Sequence, residues 1–411
     1  MKRPNRLSGV RPARLGQGGA LAPPGEQELL VGPIGARGDA VAEGLAGSVY
    51  APFALPGEKV RAQVVGDRAE VLEVLAASPE RQAAECRHFG RCGGCQLQHW
   101  KQAPYLAWKR ERVVEALQRR GLGGAQVEAV IPAWGKGRRR AAFHAARERG
   151  QVRIGFIERG GARLTPVVEC PVLAPQLQLL VGALAPLAEL ALPQRGEITL
   201  ACLATETGVD VSIKGAGRVA ALDAAKFERL CAVAHALNLA RLSFDGEPIV
   251  TRAKPRLRMG RALVCPTPGA FLQPTIAGEE TLARLVLEAL AGARRIVDLF
   301  SGLGTFALRL AEHAQVLAVE GDGDMLAALK AAADGAGGAL KQIDILRRDL
   351  LRTPFSSLEM KKFDAAVLDP PRSGARLQAE QIARAPIRKL AYVSCDPASF
   401  ARDLKVLIEH G

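Results

Sequence analysis

The last third of the chain, from about residue 270, alternates short apolar runs with stretches of helical periodicity. A run of four to eight apolar residues bounded by turn residues indicates a buried strand, and apolar positions three or four apart indicate a helix. This alternation predicts a doubly wound parallel sheet with helices on both faces. Its strands are predicted over Arg295 to Phe300, Gln315 to Glu320, Leu340 to Leu346, Asp364 to Asp369 and Lys389 to Cys395.

The amino-terminal part follows another pattern, with short β-like runs separated by glycine and proline turns between residues 26 and 80. Short strands without helical periodicity are typical of a small β-barrel. A helix is predicted from Tyr105 to Leu117, and residues 172–260 mix apolar helices with short strands in which no chemistry is evident. The predicted regions are a basic, disordered arm (1–25), the barrel (26–82), a central α+β domain (83–265) and the sheet domain (266–411).

Composition and charge narrow the set of partners. The chain of 411 residues has a formal net charge of +14, which favours a polyanionic partner such as nucleic acid. The basic run from Gly135 to Arg140 fits either a contact with phosphates or a solvated turn. No apolar run is long enough to cross a membrane, and the start of the chain lacks the features of a secretory signal. We therefore predict a cytoplasmic protein without membrane association.

Eight cysteines divide into one cluster and several scattered residues. The cluster has the spacing C-x5-C-x2-C and consists of Cys86, Cys92 and Cys95. A tetrahedral site needs a fourth ligand, and Cys170 is the best candidate because a proline follows it. His88 or His99 could substitute, and the spacing suits zinc and an iron–sulfur cluster equally. The other cysteines of the central domain are predicted to be core residues: Cys202, Cys231 and Cys265.

The first predicted strand of the sheet domain leads into a glycine-rich loop. Gly302 and Gly304 follow its last residues, and the second strand ends at Glu320, which lies 22 positions after Asp298. An acid at that spacing can hold the ribose hydroxyls of a nucleoside cofactor. Asp298 would repel a pyrophosphate, whereas it suits the positively charged S-adenosylmethionine. The loop therefore predicts a nucleoside-cofactor site.

Two further side chains are expected at the same edge of the sheet. Asp369 ends the fourth strand and is followed by two prolines that stiffen the next loop, and Cys395 ends the fifth strand. A lone cysteine in this setting is more often a buried structural thiol. Because the cofactor loop, the acid and the thiol all follow parallel strands, their convergence favours a catalytic Cys395.

Together these residues resemble the RNA 5-methyluridine methyltransferase family, and especially its iron–sulfur branch, which modifies uridines of 23S ribosomal RNA. The likeness runs from about residue 28 onwards and includes a TRAM-type barrel. Its motifs are Ala54-Leu55-Pro56-Gly57-Glu58, the cysteine cluster with Gln96 to His99, Arg138 to Ala141, Glu169-Cys170-Pro171, Phe271-Leu272-Gln273, Asp298 to Phe306, Asp369 to Arg372 and Ser394 to Pro397.

The resemblance implies roles for particular residues. It implies a [4Fe-4S] cluster on four cysteines, namely Cys86, Cys92, Cys95 and Cys170. It implies contacts with S-adenosylmethionine from Gln273, Phe300, Glu320 and Asp369. Cys395 matches the nucleophile, whose thiolate adds to C6 of uracil so that C5 can accept the methyl group. The implied protein is a monomeric S-adenosylmethionine-dependent methyltransferase acting on RNA, with 23S ribosomal RNA as the expected substrate.

The sequence departs from the family pattern at several positions. Ser301, Thr275 and Thr305 replace a cysteine and two asparagines that are common in the family. The family also continues with a β-hairpin that carries a glutamate base, whereas this sequence ends at His410-Gly411. We therefore expect a C-terminally incomplete sheet domain that forms the covalent adduct but releases its product slowly.

Two alternative functions are compatible with parts of the pattern. An amino-methyltransferase acting on adenine or cytosine also uses an acid-Pro-Pro loop, although such enzymes place an aromatic residue where this chain has Arg372. Such an enzyme would not need Cys395. A non-catalytic RNA-binding iron–sulfur protein would instead bind RNA without binding S-adenosylmethionine.

Overall fold

The computed structural model describes residues 25–132, 136–161 and 163–410. These residues form two compact units, one made of the barrel strands with residues 96–101 and the other of residues 84–95 and the chain from 102 onwards. The predicted basic arm lies outside the described residues except at its last position, and so does Gly135 of the basic run. No helix among the described residues is long and apolar enough to cross a membrane.

Five strands of the first unit close into a barrel in the order β1-β2-β3-β5-β4. Along the fourth strand every second side chain is buried, including Val60, Ala62 and Val64, so that one face fills the interior and the other faces outwards. The predicted barrel is confirmed. Its strands are β1 (Gly25–Ile34), β2 (Ala40–Gly44), β3 (Gly47–Ala51), β4 (Lys59–Val65) and β5 (Arg68–Ala76).

The central part of the second unit is built on a seven-stranded sheet with the order β12-β11-β10-β9-β6-β7-β8. All pairs are antiparallel except β10 with β11, and α3 and α4 pack on the sheet. A core of residues such as Phe143, Leu200 and Phe244 stabilises this layer. The strands are β6 (Arg140–Glu148), β7 (Gln151–Ile157), β8 (Leu164–Pro166), β9 (Glu197–Thr205), β10 (Gly208–Lys214), β11 (Leu239–Phe244) and β12 (Glu247–Thr251), and a hairpin follows with β13 (Leu257–Met259) and β14 (Ala262–Val264).

The remaining strands form a parallel sheet with the order β17-β16-β15-β18-β19. Side chains alternate between two apolar cores, so that Ile296 packs on one face while Val297 and Leu299 pack on the other. The predicted doubly wound sheet domain and the predicted fold class are confirmed. Its strands are β15 (Arg295–Leu299), β16 (Gln315–Glu320), β17 (Ile343–Arg347), β18 (Ala365–Leu368) and β19 (Lys389–Tyr392).

The helices of the second unit connect and cover these sheets. They are α1 (Gln102–Gln118), α2 (Pro175–Gln178), α3 (Ala185–Ala191), α4 (Ala224–Ala236), α5 (Ile276–Ala289), α6 (Ala307–Leu310), α7 (Gly323–Asp334), α8 (Arg376–Ala383) and α9 (Pro397–His410). The helix predicted from Tyr105 to Leu117 corresponds to α1, which packs against α9.

The structure corrects one prediction about the scattered cysteines. Cys202 is buried as expected, but Cys231 is only half-buried and Cys265 is exposed. Cys265 lies directly after the short hairpin, at a position where neither sheet covers it. Its apolar neighbours in the sequence were therefore a poor guide to its burial.

Candidate active site

The loop after β15 is shaped by residues with left-handed backbone conformations. Phe300 has a φ of +63°, Gly302 one of +54° and Gly304 one of +92°. A Cβ atom on Gly304 would lie 2.9 Å from the side chain of Leu329 and 3.0 Å from that of Leu308, so a larger residue cannot fit there. The glycines thus let the loop fold tightly over the end of the sheet, which is the conformation that cofactor loops of open α/β sheets require.

Glu320 is held in place at the end of β16. One of its carboxylate oxygens accepts a hydrogen bond from the Gly302 N–H at 3.0 Å, and the other accepts from Gly321 and Asp322 at 2.7 and 3.0 Å. These three donors orient both carboxylate oxygens of Glu320. The acid predicted to bind ribose hydroxyls is therefore fixed directly beside the glycine-rich loop.

Asp369 ends β18 next to the same loop. The strand register aligns Leu299, Leu368 and Tyr392, so the residues that follow them meet at one edge of the sheet. The Asp369 N–H donates to the Leu299 carbonyl at 3.3 Å, and the Gln273 amide lies 3.5 Å from the Asp369 carboxylate. Burial raises the pKa of Asp369 to about 6. The structure thus brings together all four residues predicted to contact the cofactor.

Asp298 is fully buried within β15, below the loop. Burial raises its pKa well above the usual value, and the negative charges of Asp369 and Glu320 raise it further. Three carboxyl groups therefore lie within electrostatic reach of one another at the ends of β15, β16 and β18. Ionised Glu320 and Asp369 would repel a pyrophosphate and suit a positively charged ligand, which would also favour the ionised form of Asp298. The residues present therefore fit S-adenosylmethionine.

Cys395 is exposed at the same edge of the sheet. Two residues before it, the Val393 N–H donates to the carbonyl of Leu368 at 2.9 Å. Leu368 directly precedes Asp369, so this part of the chain lies next to that acid. The next residue, Asp396, accepts hydrogen bonds from the N–H groups of Ala398 and Ser399 at 3.0 and 2.9 Å and thereby caps α9. The thiol is thus held directly before the N-terminus of α9.

A buried carboxylate that sequence reasoning missed connects α9 to the loop after Asp369. Asp403 accepts hydrogen bonds from the Ala375 N–H and the Tyr392 hydroxyl, each at 2.7 Å, and pairs with Arg402 at 2.7 Å. Arg402 in turn donates to the Ser373 carbonyl at 2.9 Å. Asp403 therefore fixes the acid-Pro-Pro loop relative to the end of β19. The one sign of this role in the sequence is that Asp403 is a charged residue on the otherwise apolar face of α9.

The four cysteines predicted to hold a cluster all lie in the second unit. The pKa of Cys170 is raised to about 11, mainly by burial and to a smaller extent by three nearby thiols, which are Cys95, Cys86 and Cys92. The Cys92 sulfur accepts a hydrogen bond from the Gly94 N–H at 3.4 Å. Gly93 is needed because a Cβ there would lie 2.6 Å from the Ile157 carbonyl oxygen.

The side chains of this cysteine group do not converge as metal ligands in the part of the chain that the structure describes. Within the described ranges, no group of three or more His, Cys, Asp and Glu side chains is arranged to hold a metal ion. His88, a suggested substitute ligand, instead accepts a hydrogen bond from the Val168 N–H at 3.4 Å. His99 is buried in the barrel unit, where burial lowers its pKa to about 4. Four neighbouring thiols remain a soft donor set that fits iron–sulfur or zinc chemistry.

Comparison with known proteins places this geometry in a family. No family model matches the chain. The chain is 43% identical over 390 residues to an uncharacterized RNA methyltransferase of Caulobacter vibrioides, and the match covers 94% of each protein. It is 42% identical over 384 residues to a second uncharacterized RNA methyltransferase, from Brucella suis, covering 93% of this chain and 91% of the relative.

A third relative has a defined activity in its name. It is the 23S rRNA (uracil(1939)-C(5))-methyltransferase of Pseudomonas entomophila, 35% identical over 413 residues, with 94% of this chain and 88% of the relative covered. The chain belongs to the uracil-C5 RNA methyltransferase family. The predicted family and the predicted enzyme class are thereby confirmed.

A solved structure supports the fold of the RNA methyltransferase. The tRNA (uracil-54, C5)-methyltransferase of Pyrococcus abyssi, solved in complex with S-adenosyl-L-homocysteine, superposes with a TM-score of 0.68. The two chains are 20% identical, and the match covers 93% of each. At this identity the likeness shows the fold, including the methyltransferase sheet domain, and the roles of individual residues remain to be argued from their chemistry.

Proposed function

We propose that this protein transfers a methyl group from S-adenosylmethionine to C5 of a uridine in 23S ribosomal RNA, with Cys395 as the nucleophile. The observation that carries the proposal is the convergence of an exposed thiol and an anionic cleft at one edge of a parallel sheet. Neither feature alone would be specific. Together they supply the two things that the reaction needs, an activating nucleophile for the base and a site for a cationic methyl donor.

The cleft would hold S-adenosylmethionine through residues already oriented for it. Glu320 is placed to accept hydrogen bonds from the ribose hydroxyls, while Gln273 and Asp369 line the opposite side of the glycine-rich loop that begins with Phe300. When bound, the cofactor supplies an electrophilic methyl group carried on a sulfonium. Asp298 and Asp369 favour this positive charge once they are ionised.

Cys395 would activate the base. Carbon C5 of uracil is a weak nucleophile, whereas C6 is an acceptor conjugated with the C4 carbonyl. Addition of the Cys395 thiolate forms an S–C6 bond and moves the electron pair onto O4, which makes C5 nucleophilic. C5 would then take the methyl group as the bond between that methyl and the sulfonium sulfur breaks, which leaves S-adenosylhomocysteine and restores the C4 carbonyl. A general base next takes the C5 proton, and the electron pair of that C–H bond forms the C5=C6 double bond as the S–C6 bond breaks. The thiolate and the C5=C6 double bond are then restored.

The choice of RNA rests on the relatives and on the need for the thiol to reach the base. The 35% identical relative acts on 23S ribosomal RNA, and a base must leave its stack before a thiol can reach C6. Unstacked uridines of ribosomal loops meet that requirement. The net charge of +14 favours binding to such RNA. We propose that the protein acts as a monomer in the cytoplasm.

The test is a covalent trap. Anaerobically purified protein is mixed with S-adenosylmethionine and 5-fluorouridine-substituted 23S ribosomal RNA or tRNA, and adducts that survive denaturation are counted. Fluorine at C5 cannot leave as a proton, so the adduct should accumulate. We expect an adduct with ribosomal RNA that is lost in Cys395→Ala and kept in Cys265→Ala, which removes another exposed thiol. An adduct with tRNA alone would overturn the choice of substrate.

Other results of the same experiment would favour the alternatives. If the protein binds the cofactor but the wild type gives no adduct, the reaction is amino-group methylation. If it binds RNA and no cofactor, it is an RNA-binding protein without this activity.

We further propose that Cys86, Cys92, Cys95 and Cys170 hold a [4Fe-4S] cluster. Four neighbouring thiols would suit either metal centre, and the resemblance to the iron–sulfur branch favours this choice over zinc. The cluster would fix the loop of residues 84–95 against β7, and no step of the methyl transfer passes through it. Iron and acid-labile sulfide in equal amounts would support the proposal, while stoichiometric zinc without sulfide would overturn it.

A further inference from the structure

Three buried charged side chains, distant in the sequence, form one network behind the cofactor cleft. Glu279 of α5 is 1% exposed and lies between two arginines. One of its oxygens accepts from Arg139, and the other accepts from Arg309 at 2.9 Å. Arg139 directly precedes β6 of the central sheet and is 4% exposed, so the network joins the central part of the chain to the methyltransferase domain.

Each arginine also binds a backbone carbonyl of a segment that carries predicted cofactor contacts. Arg309 donates to the Thr305 carbonyl at 2.7 Å, in the glycine-rich loop. Arg139 donates through its side chain to the Gln273 carbonyl at 3.1 Å. The glycine-rich loop and the segment of Gln273 are therefore joined through one carboxylate.

The charge of the network is unbalanced. Glu279 is the one acidic partner that the described residues provide for Arg139 and Arg309, which leaves one excess positive charge in a buried place. Burying a charge without compensation is costly, and well-packed apolar residues would stabilise such a site at least as well. The network is therefore poorly explained as a device for stability, whereas it is well suited to fix geometry, because a guanidinium can bind a carboxylate and a carbonyl simultaneously.

We propose that Arg139, Glu279 and Arg309 are positioning residues that set the separation between Gln273 and the glycine-rich loop, and thereby the affinity for S-adenosylmethionine. This rests on the proposed function, because it assumes that the cleft binds that cofactor. It also gives Arg139 of the basic run a role other than a contact with RNA phosphates: its guanidinium is buried. Arg138 is exposed and remains available for RNA.

The test compares two conservative substitutions at buried ion pairs. Arg309→Lys keeps the charge but removes the ability to bind both Glu279 and Thr305. The matched control is Arg241→Lys, because Arg241 pairs with buried Asp210 at 2.7 Å and also donates to the Pro266 carbonyl, away from the predicted cofactor contacts. Arg139→Lys provides a second variant if Arg309→Lys does not fold. Binding of S-adenosylhomocysteine and the thermal midpoint are measured for each protein.

We expect Arg309→Lys to weaken S-adenosylhomocysteine binding roughly 10-fold or more, the usual effect of losing a hydrogen bond to a charged group. KM for S-adenosylmethionine should rise with little change in KM for RNA. Arg241→Lys should lower the thermal midpoint and leave cofactor affinity unchanged. Equal thermal losses in the two variants with unchanged cofactor affinity would overturn the inference alone. A wild-type protein that binds no S-adenosylhomocysteine would instead refute the proposed function.

Discussion

The edge of the methyltransferase sheet and the cysteine-rich loop of residues 84–95 are organised in different ways. At the sheet edge, strand register and backbone hydrogen bonds fix each side chain, as the three donors to Glu320 show. In the loop, neighbouring thiols form no ligand group that could hold a metal ion among the described residues. The first site is preorganised by the fold. The cluster proposed for the second would complete it, so that metal binding there would contribute to local folding.

The largest expected effect is the loss of the nucleophile at the preorganised site. Cys395→Ser should reduce methylation roughly 10⁴-fold, because hydroxyl oxygen is a far weaker nucleophile than a thiolate. Since Cys395 is exposed, the thermal midpoint and the affinity for S-adenosylhomocysteine should stay unchanged. Single-turnover rates with ribosomal RNA measure the effect, and Cys265→Ser is the control. A variant with wild-type rates would rule out covalent catalysis.

The second prediction separates the two sites. Removing the metal by chelation, or replacing Cys170 by serine, should loosen residues 84–95 and expose them to trypsin, since Arg87 and Arg91 already face solvent. S-adenosylhomocysteine binding should persist, because the sheet edge does not depend on the cysteines. Limited proteolysis and calorimetry on the same samples test both statements.

Cys231→Ser, at another half-buried thiol, should keep the metal and the protease resistance. If chelation abolished cofactor binding as well, the two sites would be coupled, and the sheet edge would not be organised independently of the cysteines.

A smaller effect is expected from the glycine-rich loop. Gly304→Ala should cost about 2 kcal/mol or more of folding free energy, since it adds a close contact with Leu329 to the strain of a positive φ. Gly302→Ala should cost about 1 kcal/mol, because that position has a positive φ but open space around it. Urea unfolding of both variants measures the difference. Equal losses would mean that the loop is not tightly packed.

A further expected effect is a pH dependence of stability. The pKa of Asp369 is raised from 3.8 to about 6 by burial, so between these values the folded protein binds its proton more tightly than the unfolded chain does. Stability therefore falls as the pH rises through this window, by at most about 3 kcal/mol. Asp369→Asn should gain stability over the wild type at pH 8, and gain less at pH 5, while losing methylation activity.

Asp396 offers a control of opposite sign. Its pKa is lowered, mainly because its carboxylate caps α9 by accepting a hydrogen bond from the Ser399 N–H. Asp396→Asn should therefore lose stability relative to the wild type above the pKa of the unfolded acid. If both variants changed in the same direction at pH 8, the environment assigned to Asp369 would be wrong.

The sequence predicted well whatever depends on local pattern. The strand from Gln315 to Glu320 is observed as predicted, and Lys389–Tyr392 is three residues shorter than expected. Local order also led to Asp369 and Cys395, because residues at the ends of parallel strands meet at one edge. The seven-stranded central sheet was not predicted, since the pairing of β6 with β9, which joins its two halves, leaves no periodic trace in the sequence.

The contacts that hold the site together were also beyond sequence reasoning. Glu279 and Arg139 are 140 positions apart, and the bond between them gives no local signal. Asp403 binds Ala375 across 28 positions. Arg139 was interpreted through its basic neighbours as a candidate phosphate contact, although burial gives it a carboxylate instead. Charge in the sequence shows what a residue can bind, but only burial decides which partner it meets.

The packing of α1 against α9 has a consequence for folding during synthesis. The two helices are separated by about 280 residues, which a ribosome adding roughly 5–20 residues per second needs about 15–60 s to translate. Throughout that interval the face of α1 that contacts α9 has no partner from this chain. Arg139 likewise has no ion-pair partner until Glu279, 140 positions later, has been synthesised. The central domain therefore completes its packing late, once the methyltransferase sheet has formed.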